Sequence, residues 1–310
     1  MIATVTLNPA IDKGLSVPRF EVGKTNRGEV RRTDASGKGI NVAMAVKQLG
    51  LEVCALGFVA GNYGEFILEA LAASGIPAEF TNVPGETRVN LKIHDPVYGT
   101  ETEINEPGFR VFPEHLQEVK QKIREYGYGC ELMIFSGSLP PGAPPETYAE
   151  LMTIAGAGGA KCMLDTAGPA LGWGLKTKPL LVKPNRAEVE ELLQARFRTR
   201  RELAEAARKL REMGADQVVI SLGADGAVAA AKRDLLAARP PAVAARSSVG
   251  AGDAMVAALA FGEVTHLSFR DSFRLAMAAS AAAVTIEGSK SADLATVQRL
   301  LPQIQIEEIE

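Results

Sequence analysis

Glu131-Leu132-Met133-Ile134-Phe135-Ser136 is an apolar run that ends on a serine and opens into Gly137-Ser138-Leu139-Pro140-Pro141-Gly142. A strand that is apolar on both faces belongs inside a sheet covered by helices on both sides. Outward from it the periodicities alternate. Phe112 to Tyr126 and Pro145 to Ala155 read as helices, and Lys161 to Leu164 and Leu180 to Val182 as short strands. Arg186 to Leu193 and Thr199 to Met213 are again helical, while Gln217 to Ser221 is apolar and β-branched. Strands separated by helices of this length predict parallel βαβ units. The expected fold is α/β, with a central, mostly parallel sheet and helices on both faces.

The first 110 residues break this rhythm twice. Residues 14–34 and 87–107 alternate polar and apolar, most strictly in Val89-Asn90-Leu91-Lys92-Ile93. They predict antiparallel strands inserted into one α/β unit spanning 1–310, forming a small sheet with one wet face that serves as a lid or dimer surface. The 310 residues are 46% hydrophobic and 23% charged, which excludes a disordered chain. With 34 Lys plus Arg against 37 Asp plus Glu, the net charge is −3, so no basic field is offered to nucleic acid. Cys54, Cys130 and Cys162 are far apart and form no CxxC pair, which argues for buried thiols rather than zinc or disulfides. Met1 to Leu7 reads as a first strand and not a signal peptide. No apolar run is long enough to cross a bilayer, so a soluble, cytoplasmic protein without membrane partners is expected.

Four segments, three of them containing paired glycines, follow predicted strands or precede helices. Ser247-Ser248-Val249-Gly250-Ala251-Gly252-Asp253 turns sharply into a helix beginning near Ala251. The free amides of such a first turn favour an anion, and Asp253 can take a proton from a hydroxyl placed before it. An ordinary helix start with a dipole-favouring acid explains the same residues. Asp34-Ala35-Ser36-Gly37-Lys38-Gly39-Ile40-Asn41 also runs into a helix. It is not a Walker A loop, because no Ser or Thr follows Lys38. Val182-Lys183-Pro184-Asn185-Arg186-Ala187-Glu188 puts Asn185 and Glu188 three apart, an arrangement for ordering water around Mg²⁺ or simply a helix cap. Ser221-Leu222-Gly223-Ala224-Asp225-Gly226 can wrap a nucleotide or make a hairpin turn. A dinucleotide fingerprint is absent, since Met255 stands where the third glycine is needed.

In order along the chain, these pieces resemble the sugar kinases related to ribokinase, the pfkB family. The resemblance is carried by Thr6-Leu7-Asn8-Pro9-Ala10-Ile11-Asp12, Gly37-Lys38-Gly39-Ile40-Asn41, Thr87-Arg88-Val89-Asn90, Ser136 to Gly142, Lys183-Pro184-Asn185-x-x-Glu188, Ser221 to Gly226 and Gly250 to Asp253. Within the family it is nearest the 1-phosphofructokinase and tagatose-6-phosphate kinase branch. It implies a ribokinase-like fold with a small antiparallel β lid, ATP and Mg²⁺, and a homodimer through the lid. It implies Asp253 as catalytic base, with Gly250, Ala251 and Gly252 as anion hole. Asp12, Gly37, Lys38, Asn41, Arg88, Asn90 and Ser138 would bind the sugar and its phosphate, with Arg27 on a lid strand reaching a phosphate. Lys183, Asn185, Ser221, Gly223, Ala224, Asp225, Gly226 and Gly252 would line the ATP site, and Asn185 with Glu188 would order Mg²⁺ through water.

Two positions depart from the family pattern. Ser36 replaces a glycine, which is tolerable if its φ is negative. Ser247 stands where Asn or Asp is common, so no monovalent-cation site is assigned. By the same resemblance, Lys38 and Glu103 imply fructose 1-phosphate, phosphorylated at its 6-hydroxyl, ahead of tagatose 6-phosphate and fructose 6-phosphate. An NAD-binding oxidoreductase and a silent sugar-phosphate sensor are the weaker alternatives.

Overall fold

The computed structural model describes residues 1–309 except Arg233, Arg246, Ser248, Glu287, Ser289, Lys290 and Ser291. Ser248, part of the Gly250 motif, thus lies outside the described residues. Strands β1 (Ile2–Thr6), β2 (Ala10–Ser16) and β3 (Glu29–Ser36) lead into helix α1 (Lys38–Gln48). Next come β4 (Val53–Val59), α2 (Gly61–Ala73), β5 (Ala78–Asn82), β6 (Arg88–Asp95) and β7 (Thr100–Asn105). Strand and helix then alternate through α3 (Pro113–Gly127), β8 (Leu132–Ser136), α4 (Thr147–Ala157), β9 (Lys161–Asp165) and α5 (Gly168–Leu175). The alternation continues with β10 (Leu181–Val182), α6 (Arg186–Leu193), α7 (Arg200–Glu212) and β11 (Gln217–Ser221). The chain ends with β12 (Ala227–Ala231), β13 (Asp234–Ala238), α8 (Ala251–Val264), α9 (Phe269–Ala283), α10 (Leu294–Leu300) and β14 (Ile306–Glu308).

The large sheet has the order β14-β13-β12-β11-β10-β9-β8-β1-β4-β5. It is parallel from β5 to β11 and antiparallel from β11 to β14. Alternation along β8 explains its continuous apolar sequence. Leu132 and Ile134 join the core beneath α1, α8 and α9, while Met133 and Phe135 join the one beneath α3, α4, α5 and α7. Cys54, Cys130 and Cys162 are buried and free. Among the described residues no helix is long and apolar enough to cross a membrane.

The second sheet has the order β3-β2-β6-β7. β2–β3 and β6–β7 are antiparallel pairs as expected, but the two pairs join through parallel β2 and β6. Its boundaries also differ from the sequence reading. The first strand begins at Ala10, and residues 17–28 form a loop, because Pro18, Gly23 and Gly28 interrupt any ladder. At the far tip the buried Asp95 carboxylate accepts from four backbone amides: Arg19 (3.1 Å), Phe20 (2.7 Å), Val97 (2.9 Å) and Tyr98 (3.2 Å). One side chain thereby clamps the 17–28 loop to the turn between β6 and β7.

Gly57 marks the tightest approach in the large sheet. It lies opposite Thr6 in the β1–β4 ladder at φ 146°, and a Cβ there would stand 1.8 Å from the Thr6 carbonyl oxygen. Gly57→Ala must push two central strands apart, at a cost of roughly 2–4 kcal/mol. Urea unfolding would measure it; a midpoint equal to the parent's would contradict this packing.

Candidate active site

Helix α8 starts at Gly250, which adopts the left-handed conformation at φ 79°, and no described side chain caps its first amides. Asp253 sits in that first turn, 7% exposed. Its Oδ2 accepts a hydrogen bond of 2.8 Å from Asn41 Nδ2 on α1. Burial first, then the nearby Asp165 charge, pushes the Asp253 carboxyl up to about 6, although Asn41, Lys38 and Lys183 pull the other way. A base poised near neutrality beside unfilled amides suits proton removal from a hydroxyl next to an anion.

Lys38 opens α1 immediately after Gly37, whose φ is 126°. The helix lies against β1 through glycine: a Cβ on Gly39 would stand 2.3 Å from Thr6 Oγ1. Ser36 ends β3 as ordinary buried strand, so its replacement of a glycine is tolerated. Lys38 Nζ donates to Asp165 Oδ1 at 3.0 Å and lies 3.7 Å from Glu188 Oε1. Lys183, nearly buried, approaches Asp165 Oδ2 at 3.4 Å from the other side. Burial alone would lower Lys38, but the charges of Asp165, Glu188 and Asp253 more than offset it and hold its pKa above the usual value. Burial would likewise raise Asp165, yet Lys183 and Lys38 keep it below the usual carboxylate range.

Two cavities are bordered by residues in or next to this cluster. One, of about 460 Å³, is bordered by Asn8, Lys38, Arg88, Ser138 and Glu188. Arg88 spends three of its five N–H donors on the backbone carbonyls of Pro9 (3.4 Å), Glu106 (3.1 Å) and Asn8 (3.3 Å), leaving two for a ligand. The other cavity, of about 680 Å³, is bordered by Asn185, Ser221, Gly223, Ala224, Gly226 and Gly252. Proline and valine from residues 240–243 and Met277 from α9 supply its apolar walls. A side chain at Gly252 would begin 3.4 Å from Lys183 Nζ, so the glycine keeps that approach open. Asn185 and Glu188 form a reciprocal cap on α6: Glu188 N donates to Asn185 Oδ1 (2.9 Å), and Asn185 N to Glu188 Oε2 (2.7 Å).

On the small sheet Asp12 is buried, accepting from Asn90 Nδ2 (3.0 Å) at Oδ1 and from Lys92 Nζ (2.6 Å) at Oδ2.

The sequence pattern of the pfkB family carbohydrate kinases matches residues 7–296. The chain belongs to that family. This kinase is 39% identical over 284 residues to a 1-phosphofructokinase of Rhodobacter capsulatus, covering 91% of this chain and 90% of the relative. It is 42% identical over 263 residues to a 1-phosphofructokinase of Xanthomonas campestris pv. campestris, covering 83% and 82%. The phosphofructokinase-2 of Escherichia coli, solved with potassium, superposes with a TM-score of 0.91 at 29% identity, covering 97% of this chain and 98% of that one.

The kinase fold gathers most of the residues the sequence singled out: Asp253, Asn41, Lys38 and Lys183 form one cluster, and Arg88 and Ser138 share a cavity with Lys38. Two are placed otherwise. Arg27 is exposed in the 17–28 loop rather than on a strand, because that loop replaces the expected ladder. Asp225 is exposed in the turn before β12 and does not border the larger cavity; its carbonyl accepts from Arg200 instead (2.6 Å). Three residues escaped sequence reasoning. Asp165 ends an apolar strand, where sheets of this class place ligands, and that position was its signal. Asn8, which donates to Ser138 Oγ at 3.2 Å, and Lys92 carried no motif of their own beyond their neighbours.

The raised Asp253 carboxyl has a stability consequence. The folded state holds its proton more tightly than the unfolded chain, so the penalty for ionising it is complete above pH 6 and vanishes below about 3.8. Asp253→Asn should therefore stabilise the kinase at pH 7.5 by on the order of 1–3 kcal/mol. That gain should shrink as the pH falls from 6 toward 4. Urea unfolding of parent and variant at pH 7.5 and 4.5 reads the difference, and an equal gap at both values would refute the assignment.

Proposed function

We propose that this kinase transfers the terminal phosphoryl group of ATP to the 6-hydroxyl of D-fructose 1-phosphate, giving D-fructose 1,6-bisphosphate. The reading rests on one observation: the uncapped start of α8, which carries Asp253, borders the larger cavity, while Lys38 beside it borders the other together with Arg88. Asp253 removes the hydroxyl proton, while the amides of Gly250, Ala251 and Gly252 receive the developing charge. Asp12 and Asn90 hold sugar hydroxyls from the lid, and Lys38, Arg88 and Ser138 hold the existing phosphate. Lys183, Ser221, Gly223, Ala224, Gly226 and Asn185 line the nucleotide's place. The whole chain acts as one catalytic unit with the four-stranded sheet as its lid, and 1-phosphofructokinases among its sequence relatives support the choice of sugar.

Asn185 and Glu188 suit Mg²⁺ held through water. Their capping bonds leave Glu188 Oε1, which faces Lys38 at 3.7 Å, as the carboxylate oxygen outside the cap, and among the described residues no group of three acidic, His or Cys side chains could hold an ion alone. Such a site fits an ion that arrives with nucleotide phosphates and keeps its waters. When bound, it would offset the charge of those phosphates.

A coupled assay across fructose 1-phosphate, fructose 6-phosphate, tagatose 6-phosphate and free fructose tests the substrate. Fructose 1-phosphate should give the highest kcat/KM, and a higher value for any other sugar would overturn the reading. Asp253→Asn should bind ATP and sugar yet lose roughly 10²–10⁴-fold in kcat. Near-normal turnover would remove Asp253 from its role.

We further infer a homodimer through the lid. The face opposite Asp12 carries Leu91, Val30 and Ile104, the last two 56% and 52% exposed. Arg27 could then meet a phosphate only across that interface. Sedimentation at micromolar concentration should show a dimer that Ile104→Glu splits. A fully active parent monomer would exclude it.

A further inference from the structure

Lys92 borders a cavity of about 240 Å³ together with Gly14, Arg32, Ser247 and Val249, so it stands on the face of the small sheet turned toward the start of α8. In the parallel β2–β6 ladder, Asp12 lies opposite Asn90, and Gly14 opposite Lys92. The space above Gly14 is taken by the Arg32 side chain, whose Cγ would stand 3.1 Å from a Cβ there, and the Lys92 ammonium reaches Asp12 on the same face of the sheet. The contact is 2.6 Å, with the Asp12 side chain 3% and the Lys92 side chain 17% exposed.

Asp12 has a second neighbour that makes this contact necessary. Across the antiparallel β2–β3 ladder it faces Asp34, a like charge directly opposite. Arg32 lies 3.3 Å from Asp34 and Lys92 lies on Asp12, so each carboxylate has its own cation. A buried carboxylate beside another acid, without its cation, either swings away or becomes a poor acceptor. Asn90 holds Oδ1 but is neutral and cannot replace the charge on Oδ2.

Resting on the proposed role of Asp12 in sugar binding, we propose that Lys92 is a positioning residue. It holds the Asp12 carboxylate aimed into the cleft, so that sugar affinity depends on an ion pair carried entirely by the lid. Lys92 touches neither nucleotide nor transferred group. Its removal therefore acts on sugar binding and leaves nucleotide binding alone.

The test uses the full-length kinase and four variants, K92M, K92R, D12N and the double variant K92M/D12N. KM for fructose 1-phosphate, KM for ATP, kcat and Tm are measured for each. K92M should raise the sugar KM about tenfold or more, with ATP KM and kcat within about twofold. K92R should recover most of that loss, because a guanidinium can still pair with the carboxylate. The double variant should be no worse than D12N alone, as expected when one residue works through the other. An unchanged sugar KM in K92M beside a raised one in D12N would overturn the proposal while sparing the role of Asp12. An unchanged sugar KM in D12N would overturn that role itself. Additive losses in the double variant would mean that Lys92 acts on its own account. Should K92M fail to fold, K92R decides: a folded K92R with a sugar KM like that of D12N would overturn the proposal.

Discussion

A fully buried carboxylate stays charged only where cations surround it, and the centre of this molecule is organised around one. Asp165 ends β9 in the interior, with Lys38 reaching it from α1 and Lys183 from the segment after β10. Removing both lysines would leave an uncompensated charge where water cannot help, so the two elements are held in place by electrostatics as well as packing. The same charge raises the Asp253 carboxyl, which lies on a third element, α8. Two strand ends and two helix starts are thus tied to a single side chain.

The parallel part of the fold was legible because its strands are apolar on both faces. Leu132 to Phe135 and Val218 to Ile220 admit no other reading once helices flank them. β12 was not, since Ala227-Val228-Ala229-Ala230-Ala231 is mostly alanine, a residue with low strand preference. It becomes a strand because its backbone pairs with β11 on one side and β13 on the other, a fact that only tertiary structure supplies.

The site shows the same division. Gly250 to Asp253 and Gly37 to Asn41 were visible because glycines at helix starts announce backbone that a ligand can approach. Asn185 and Glu188 make the helix cap that was one of the two readings offered for them, and one Glu188 carboxylate oxygen stays turned toward Lys38. Asp165 and Lys92 remained hidden for a different reason. Each gains its meaning from a partner distant in sequence, and no local spacing encodes such a meeting.

The Asp95 clamp at the tip of the small sheet has a mechanical corollary. With its far end fastened by four amides, the sheet resists twisting along its length, and an opening of the cleft becomes a rotation about the chain crossings near residues 9, 37, 87 and 107. From Arg88 to Asp95 the strand extends about 25 Å, so a turn of about 10° swings the tip by about 4 Å. Asp12, level with Asn90 near the pivot, travels only about 1 Å in the same motion. The Asp12 carboxylate stays almost stationary while the outer edge sweeps, much as a door moves least beside its hinge.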